Sequence, residues 1–213
     1  MHESHEHHSE SFISKYIFSK DHKMIARQFL IYGLLMLILG GLLALLVRWE
    51  LAYPEKPLPL IGLSNKYQET GEVATGADRM WDQWFKAGTE NWLTKYMPGG
   101  VMGPELYNAF FTMHATIMIF FVVMPILIGA FGNFLIPLMI GTRDLAFPTL
   151  NMLSFWVAVL SALIMLAGFF VPGGHAAAGW TGYPPLSASP VYSGVDWGQN
   201  LWCISLIVLG ISS

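Results

Sequence analysis

The chain has 213 residues, of which 54% are hydrophobic and only 12% are charged, whereas an ordinary soluble domain carries about 25% charged residues. Much of its surface is therefore predicted to face lipid rather than water. The formal net charge is −3 and the basic residues are scattered, which excludes a nucleic-acid partner and a polybasic lipid patch. The single cysteine, Cys203, has no internal partner and says nothing about the redox compartment.

Apolar runs predict membrane-spanning helices and an all-α integral membrane fold, a transmembrane helix bundle. The first span covers about residues 28–48, close to the roughly 20 residues that cross a bilayer. The second, 106–140, is too long for one perpendicular span at about 1.5 Å per residue. We expect it to tilt, to project beyond the lipid, or to bend at its proline and glycine residues. The third span covers 149–171.

The fourth apolar run, 198–213, is shorter than a span. As a helix it would rise only about 25 Å, whereas the hydrocarbon core is about 30 Å thick. We therefore expect this span to be incomplete and the protein to continue beyond Ser213.

The basic residues predict the orientation of the bundle. Four of them precede the first span: Lys15, Lys20, Lys23 and Arg27. Arg143 is the only basic residue between the second and third spans. By the positive-inside rule both regions are cytoplasmic. Residues 1–20 are then a polar, His-rich cytoplasmic tail, and residues 49–105 an external loop with short helical pieces.

His114 is the one histidine of seven that lies inside a predicted span. Burying a polar group without a partner costs several kcal/mol, so such residues usually mark a functional site. One interpretation is a hydrogen bond to a neighbouring helix; the other is a metal or haem ligand. Position alone leaves both open. His114 lies about 13 Å along the second span, in its outer half, where a haem would favour an electron donor on the outside.

Polar side chains near the inner membrane surface suggest a second kind of site. Asp144 lies in the loop after the second span, and Asn133 near the end of that span. Asn151, Ser154 and Ser161 recur at helical spacing on one face of the third span. The residues alone favour interhelical hydrogen bonding. The alternative is a water-lined proton path with Asp144 as its collecting acid.

The outer ends of the spans carry a third group of polar and aromatic residues. Arg48 and Glu50 end the first span, and Trp180 and Tyr183 follow the third. An arginine anchor and an aromatic belt explain them simply. An arginine at this position is also suited to donate hydrogen bonds to an acceptor on a buried cofactor.

Seven stretches that contain these residues resemble, in order, subunit I of the haem-copper terminal oxidases, the cytochrome c oxidase family. The stretches are Asp21-His-Lys23, Arg48-Trp-Glu50, His114-Ala-Thr-Ile-Met-Ile-Phe-Phe121, residues 123–141, Asp144-Leu-Ala-Phe-Pro148, Asn151-Met-Leu-Ser-Phe-Trp156 and Gly179-Trp-Thr-Gly-Tyr-Pro-Pro185. The resemblance covers nearly everything from Lys20 onward except the long external loop.

The resemblance implies that the chain holds the first three spans and the start of a fourth of a twelve-span subunit. With subunits II and III in a bacterial plasma membrane, the complete subunit would reduce dioxygen to water with electrons from cytochrome c and translocate protons. Its high-spin haem and copper would be held by later spans, so we expect this segment alone to be inactive. The alternatives are a quinol-oxidising member, a nitric oxide reductase relative, or a haem-free transporter or scaffold.

The resemblance also implies roles for single residues around a haem. His114 corresponds to an axial ligand of the low-spin haem, with haem a as the expected type. Arg48 would lie near the formyl group of that haem, and Trp180 and Tyr183 beside it. Glu50 matches a residue that contributes to a peripheral cation site in some members.

For proton transfer, the resemblance makes Asp144 the entrance acid of a pathway with Asn133 and Asn151 as gating amides. Ser212 and Ser213 would supply hydroxyls farther along it. Three positions depart from the family pattern: Arg143 stands where proline is usual, Met152 replaces a second asparagine, and Phe29 stands where a tyrosine is common, with Tyr32 one turn later.

Overall fold

The computed structural model describes residues 12–54, 56, 58, 97, 101–171, 175–189 and 197–213. Within these residues every regular element is helical, as the sequence predicts. The main helices are α1 (His22–Ala52), α2 (Pro104–Ile140), α3 (Pro148–Ala167) and α4 (Trp197–Ser212). A short helical turn, Ile13–Ile17, precedes α1. Residues 1–11 of the predicted tail and most of the predicted external loop lie outside the described residues.

Three of the helices, α1, α2 and α3, are long and apolar enough to cross a membrane. Their outward faces carry large apolar side chains such as Ile38, Leu45 and Leu127, which are exposed. Water would penalise so much exposed apolar surface, whereas lipid accommodates it. The chain is therefore built as a multi-pass membrane protein.

The helices define two ends of the bundle. The proximal end contains the start of α1 and the loop between α2 and α3, and the distal end contains the end of α1, the start of α2 and the loop after α3. α1 begins earlier than residue 28 because the Asp21 side chain caps it, accepting a hydrogen bond from the backbone N–H of Lys23 at 3.1 Å. α3 ends at Ala167, before residue 171, where the chain tightens into a turn.

α2 is continuous over 37 residues, but its middle is wound more widely. Residues Ile117–Val123 and Pro125–Gly132 form π-helical turns. Proline has no N–H and crowds the preceding turn, and wider turns relieve that conflict. The helix ends at Gly141, whose φ of 72° is left-handed, and the N–H of Thr142 donates to the carbonyl of Pro137 at 3.0 Å.

The core forms where α1, α2 and α3 meet around Phe29. A Cβ on Gly129 of α2 would lie 2.5 Å from the Phe29 ring, so glycine is required for this contact. Phe29 also meets Phe155 of α3 edge to face, with ring centroids 5.1 Å apart. The Tyr32 hydroxyl donates to the carbonyl of Ala158 at 3.5 Å. Phe29 therefore packs three helices together at the position where the family pattern has a tyrosine.

The loop at the distal end encloses His175. This side chain is only 3% exposed and stacks on Phe169, with ring centroids 5.1 Å apart. Phe110 of α2 lies on the ring as well, at 6.2 Å. An apolar environment disfavours the charged imidazolium, so burial lowers the pKa of His175 from 6.5 to about 4.

We expect His175 to make the stability of the distal end depend on pH. The unfolded imidazole takes up a proton near pH 6.5, whereas the folded one does so only near pH 4. The stability contribution is therefore complete above about pH 7, falls as the pH drops from 6.5 towards 4, and is then constant, with a total loss of up to about 3 kcal/mol. Thermal unfolding of the solubilised protein across this range measures the loss. The variant His175→Phe should lack that pH-dependent part, and an identical pH profile in both proteins would contradict the assignment.

Candidate functional site

His114 lies in the distal part of α2, where its ring reaches α1. Its Nδ1 is 2.8 Å from the backbone carbonyl oxygen of Gly40, and the side chain is half-buried. A carbonyl oxygen only accepts hydrogen bonds, so Nδ1 carries the proton and donates it. In the neutral imidazole the lone pair is then on Nε2.

This arrangement fits a histidine that ligates a metal. Such histidines donate their second N–H to a carbonyl or carboxylate, which fixes the tautomer and the direction of the ring. Nε2 of His114 makes no hydrogen bond within the described residues. The contact with Gly40 therefore accounts for Nδ1, and Nε2 is the nitrogen left to ligate a metal.

The contact depends on a close approach of α1 and α2 at Gly40. A Cβ added to Gly40 would lie 2.9 Å from the sulfur of Met118 and 3.2 Å from a methyl carbon of Ile117. Contacts below about 3 Å force neighbouring atoms to shift. The glycine therefore brings the acceptor carbonyl within reach of His114.

The side of α2 away from His114 is tied to the distal loop and to α4. Thr112 Oγ1 accepts a hydrogen bond from the backbone N–H of Gly179 at 2.9 Å. One turn later, Thr116 Oγ1 accepts from the indole N–H of Trp202 at 3.0 Å. Both threonines are fully buried. α2 is thus held on both sides at the level of His114.

The other predicted haem residues lie at the distal end but are less constrained. The Trp180 ring approaches Phe120 of α2, with centroids 6.4 Å apart. Tyr183 and Arg48 are exposed, and neither side chain makes a hydrogen bond or ion pair within the described residues. Glu50 is half-buried, and its Oε2 has no hydrogen-bond partner there. The structure brings Trp180 to α2 and leaves Arg48 and Tyr183 available.

Asp144 lies at the proximal end, in the loop between α2 and α3. Its Oδ1 accepts a hydrogen bond from the backbone N–H of Leu145 at 2.8 Å. The same oxygen is 3.2 Å from Nδ1 of His22, the first residue of α1. Asp144 is exposed and His22 is buried. The carboxylate is therefore open to water on one side and joined to the bundle on the other.

A cleft of about 560 Å³ lies between the start of α3 and the end of α4, and Leu145, the residue after Asp144, is part of its mostly apolar lining. The polar side chains of the lining belong to four predicted pathway residues: Asn151, Ser154, Ser212 and Ser213. The hydroxyls of Ser154 and Ser212 donate to carbonyls of their own helices at 2.9 and 2.7 Å, which leaves their lone pairs as acceptors. The amide nitrogen of Asn151 is buried without a hydrogen-bond partner in the described part of the chain.

Two other predicted pathway residues do not line this cleft. Ser161 donates to the carbonyl of Ser205 on α4 at 2.7 Å, and Ser205 donates back to the carbonyl of Ser161 at 3.0 Å. Both side chains are fully buried, so this pair favours the interhelical hydrogen-bond interpretation for Ser161. Asn133 is half-buried on α2, and its side chain makes no hydrogen bond to any described residue.

The sequence interpretation missed the role of His22. The residue precedes the first apolar run, so it was grouped with the histidines outside the hydrocarbon. Its contact with Asp144 joins positions 122 residues apart, and no local pattern reveals such a pair. The motif Asp21-His-Lys23 marked the region but not the contact.

His114 is an ionisable residue within a long apolar helix, and such residues usually mark a functional site in membrane proteins. Residues 24–213 match the model of the family described as Cytochrome C and Quinol oxidase polypeptide I. The chain belongs to this family. The resemblance inferred from the sequence motifs is therefore confirmed.

Curated relatives agree with the family match. The chain is similar to cytochrome c oxidase subunit 1 of Thermostichus vulcanus, with 36% identity over 198 residues, 93% of this chain. It is 35% identical to the subunit of the same name from Synechocystis, again over 93% of the chain. An alternative cytochrome c oxidase subunit 1 of Bradyrhizobium diazoefficiens is 33% identical over 94% of the chain. The chain spans 27% of the length of each of these relatives.

Proposed function

We propose that the chain works within subunit I of a bacterial cytochrome c oxidase that reduces dioxygen to water and translocates protons. The observation that carries the proposal is the 2.8 Å contact between Nδ1 of His114 and the carbonyl of Gly40. It leaves the lone pair of Nε2 available to ligate a metal, in a chain that belongs to the oxidase family. Because the chain spans only 27% of its relatives, the activity is proposed for the complete subunit.

His114 is proposed to be an axial ligand of a low-spin haem, of type a. Such a haem accepts and passes on one electron at a time. The hydrogen bond from Nδ1 holds the ring and increases the basicity of Nε2. The exposed guanidinium of Arg48 is available to donate to a formyl oxygen, and Trp180 and Tyr183 would flank the group. The high-spin haem and copper belong to other parts of the complete subunit.

Asp144 is proposed to collect protons at the proximal end. Its carboxylate is exposed to water, and the next residue, Leu145, lines the cleft. A buried amide nitrogen without a partner, as on Asn151, is a good binding position for water. Water held by Asn151, Ser154 and the serines at the end of α4 would take the proton onward. Asn133 is proposed to act as a second gating amide, and Glu50 is proposed to bind a peripheral cation.

The proposed orientation has the proximal end in the cytoplasm and the chain in a bacterial plasma membrane. The basic residues before α1 and Arg143 in the α2–α3 loop support it. Cytochrome c would then donate electrons from the outer side, and subunits II and III would surround the bundle.

Oxygen uptake by the purified complex that contains this chain tests the proposal. We expect rapid uptake with reduced cytochrome c and little with a quinol. The family includes quinol oxidases. Oxygen uptake with quinol alone would therefore show that the electron donor is a quinol, and the proposed oxidase activity would still stand. A complex with no haem absorption and no uptake with either donor would overturn the proposal and favour a transporter or scaffold.

A further inference from the structure

His22 is a buried titratable side chain at the proximal end that the proposed proton path does not use. It is only 3% exposed, whereas the side chain of Asp144 is 42% exposed. A buried polar ring is retained where a specific partner satisfies it. The partner of His22 therefore indicates what the ring does.

Two carboxylates lie near Nδ1 of His22. Oδ1 of Asp144 is 3.2 Å away, and Oδ1 of Asp21 is 3.6 Å away. The longer distance is outside hydrogen-bond range, and the Asp21 oxygen already caps α1 through the N–H of Lys23. An ionised carboxylate only accepts hydrogen bonds, so Nδ1 of His22 donates to Asp144.

The two hydrogen-bond donors to Asp144 belong to different parts of the structure. The N–H of Leu145 belongs to the same loop and moves with Asp144, whereas His22 belongs to α1. Among the described residues, the His22 contact is the only hydrogen bond that ties this carboxylate to a helix. Without it, an exposed side chain distributes over several rotamers.

From this contact we infer that His22 is a positioning residue that holds the Asp144 carboxylate beside Leu145, a residue of the cleft lining. The inference rests on the proposed proton-collecting role of Asp144. In this role His22 does not itself carry the proton. Its effect is to raise the fraction of time that the Asp144 carboxylate spends in the direction set by the His22 contact, next to Leu145 of the cleft.

Two substitutions separate positioning from simple packing. His22→Asn keeps an amide N–H near the position of Nδ1 but loses volume. His22→Leu keeps the volume but has no donor. If the ring only fills space, leucine should work better than asparagine, and if it positions Asp144, asparagine should work better than leucine.

The test measures proton uptake by the complete oxidase complex reconstituted in lipid vesicles, with haem absorption as the check of assembly. We expect His22→Leu to slow proton uptake roughly tenfold, the scale of one charge-assisted hydrogen bond. His22→Asn should stay within about twofold of the unmodified protein. Should the leucine variant fail to assemble, His22→Met replaces it, because methionine adapts to irregular space and has no donor.

Normal uptake in the donor-free variant would overturn the inference, and so would equal slowing in the asparagine variant. Asp144→Asn, measured in parallel, distinguishes the proposed role of Asp144 from that of His22. If Asp144→Asn leaves uptake unchanged, the proposed role of Asp144 fails. If Asp144→Asn blocks uptake while His22→Leu does not, only the positioning role of His22 fails.

Discussion

Replacing His114 with alanine is expected to abolish low-spin haem binding in the complete oxidase. The substitution removes Nε2, the atom proposed to ligate iron, and leaves the carbonyl of Gly40 without its 2.8 Å donor. An axial ligand is not replaced by a methyl group, so we expect loss of at least nine-tenths of the low-spin band and of oxygen reduction, on the order of 10-fold or more. Absorption spectra of the reduced complex, together with haem content per protein, measure the effect.

Asn108→Ala is the matched control for this experiment. Asn108 is an exposed residue of the same helix, and its side chain makes no hydrogen bond within the described residues. The control should keep the haem band and the activity. An unchanged band in His114→Ala would make the histidine a packing residue, and a haem-free function would then become the better interpretation.

Replacing Asp144 with asparagine is expected to slow proton uptake and steady-state turnover by about tenfold or more while the haem spectrum stays unchanged. The amide keeps the shape of the carboxylate, and its oxygen still accepts from Leu145 and His22. It does not bind and release a proton in the working pH range, so only proton collection is lost. Proton uptake and proton release by vesicles that contain the oxidase measure the effect.

Asp21→Asn is the corresponding control at the same end of the bundle. Asp21 is another exposed aspartate, and it caps α1 by accepting from Lys23. Asparagine caps helices about as well as aspartate, so stability and uptake should both be retained. Wild-type uptake in Asp144→Asn, or equal losses in both variants, would contradict a specific role for Asp144.

The helical architecture was accessible from the sequence because bilayer thickness sets the length of an apolar span. The boundaries were less accessible, because capping groups lie outside the apolar runs. α1 starts at His22 since Asp21 caps it there, which hydrophobicity does not indicate. The distortion of α2 coincides with Pro125 and the glycines after it, where the sequence suggested a bend.

The site was accessible only in part. His114 was identifiable because it is a lone ionisable group in an apolar run, but its bond to Gly40 joins residues 74 positions apart. Ser154 and Ser161 share a helix face, so periodicity could not separate them. The structure does, since Ser154 lines the cleft and Ser161 binds Ser205 of α4. The surroundings of these residues depend on contacts between segments far apart in the sequence, which a local pattern does not reveal.

The acceptor that orients His114 is a main-chain oxygen. No side-chain substitution on α1 removes that atom. The direction of the His114 ring therefore depends on where the backbone of α1 lies. Bulk is a different matter, because a Cβ at position 40 would lie 2.9 Å from the sulfur of Met118, and one at position 33 would lie 2.5 Å from Ile126. Mutations on α1 should accordingly disturb the direction of His114 through bulk where α1 meets α2, rather than by removing the acceptor itself.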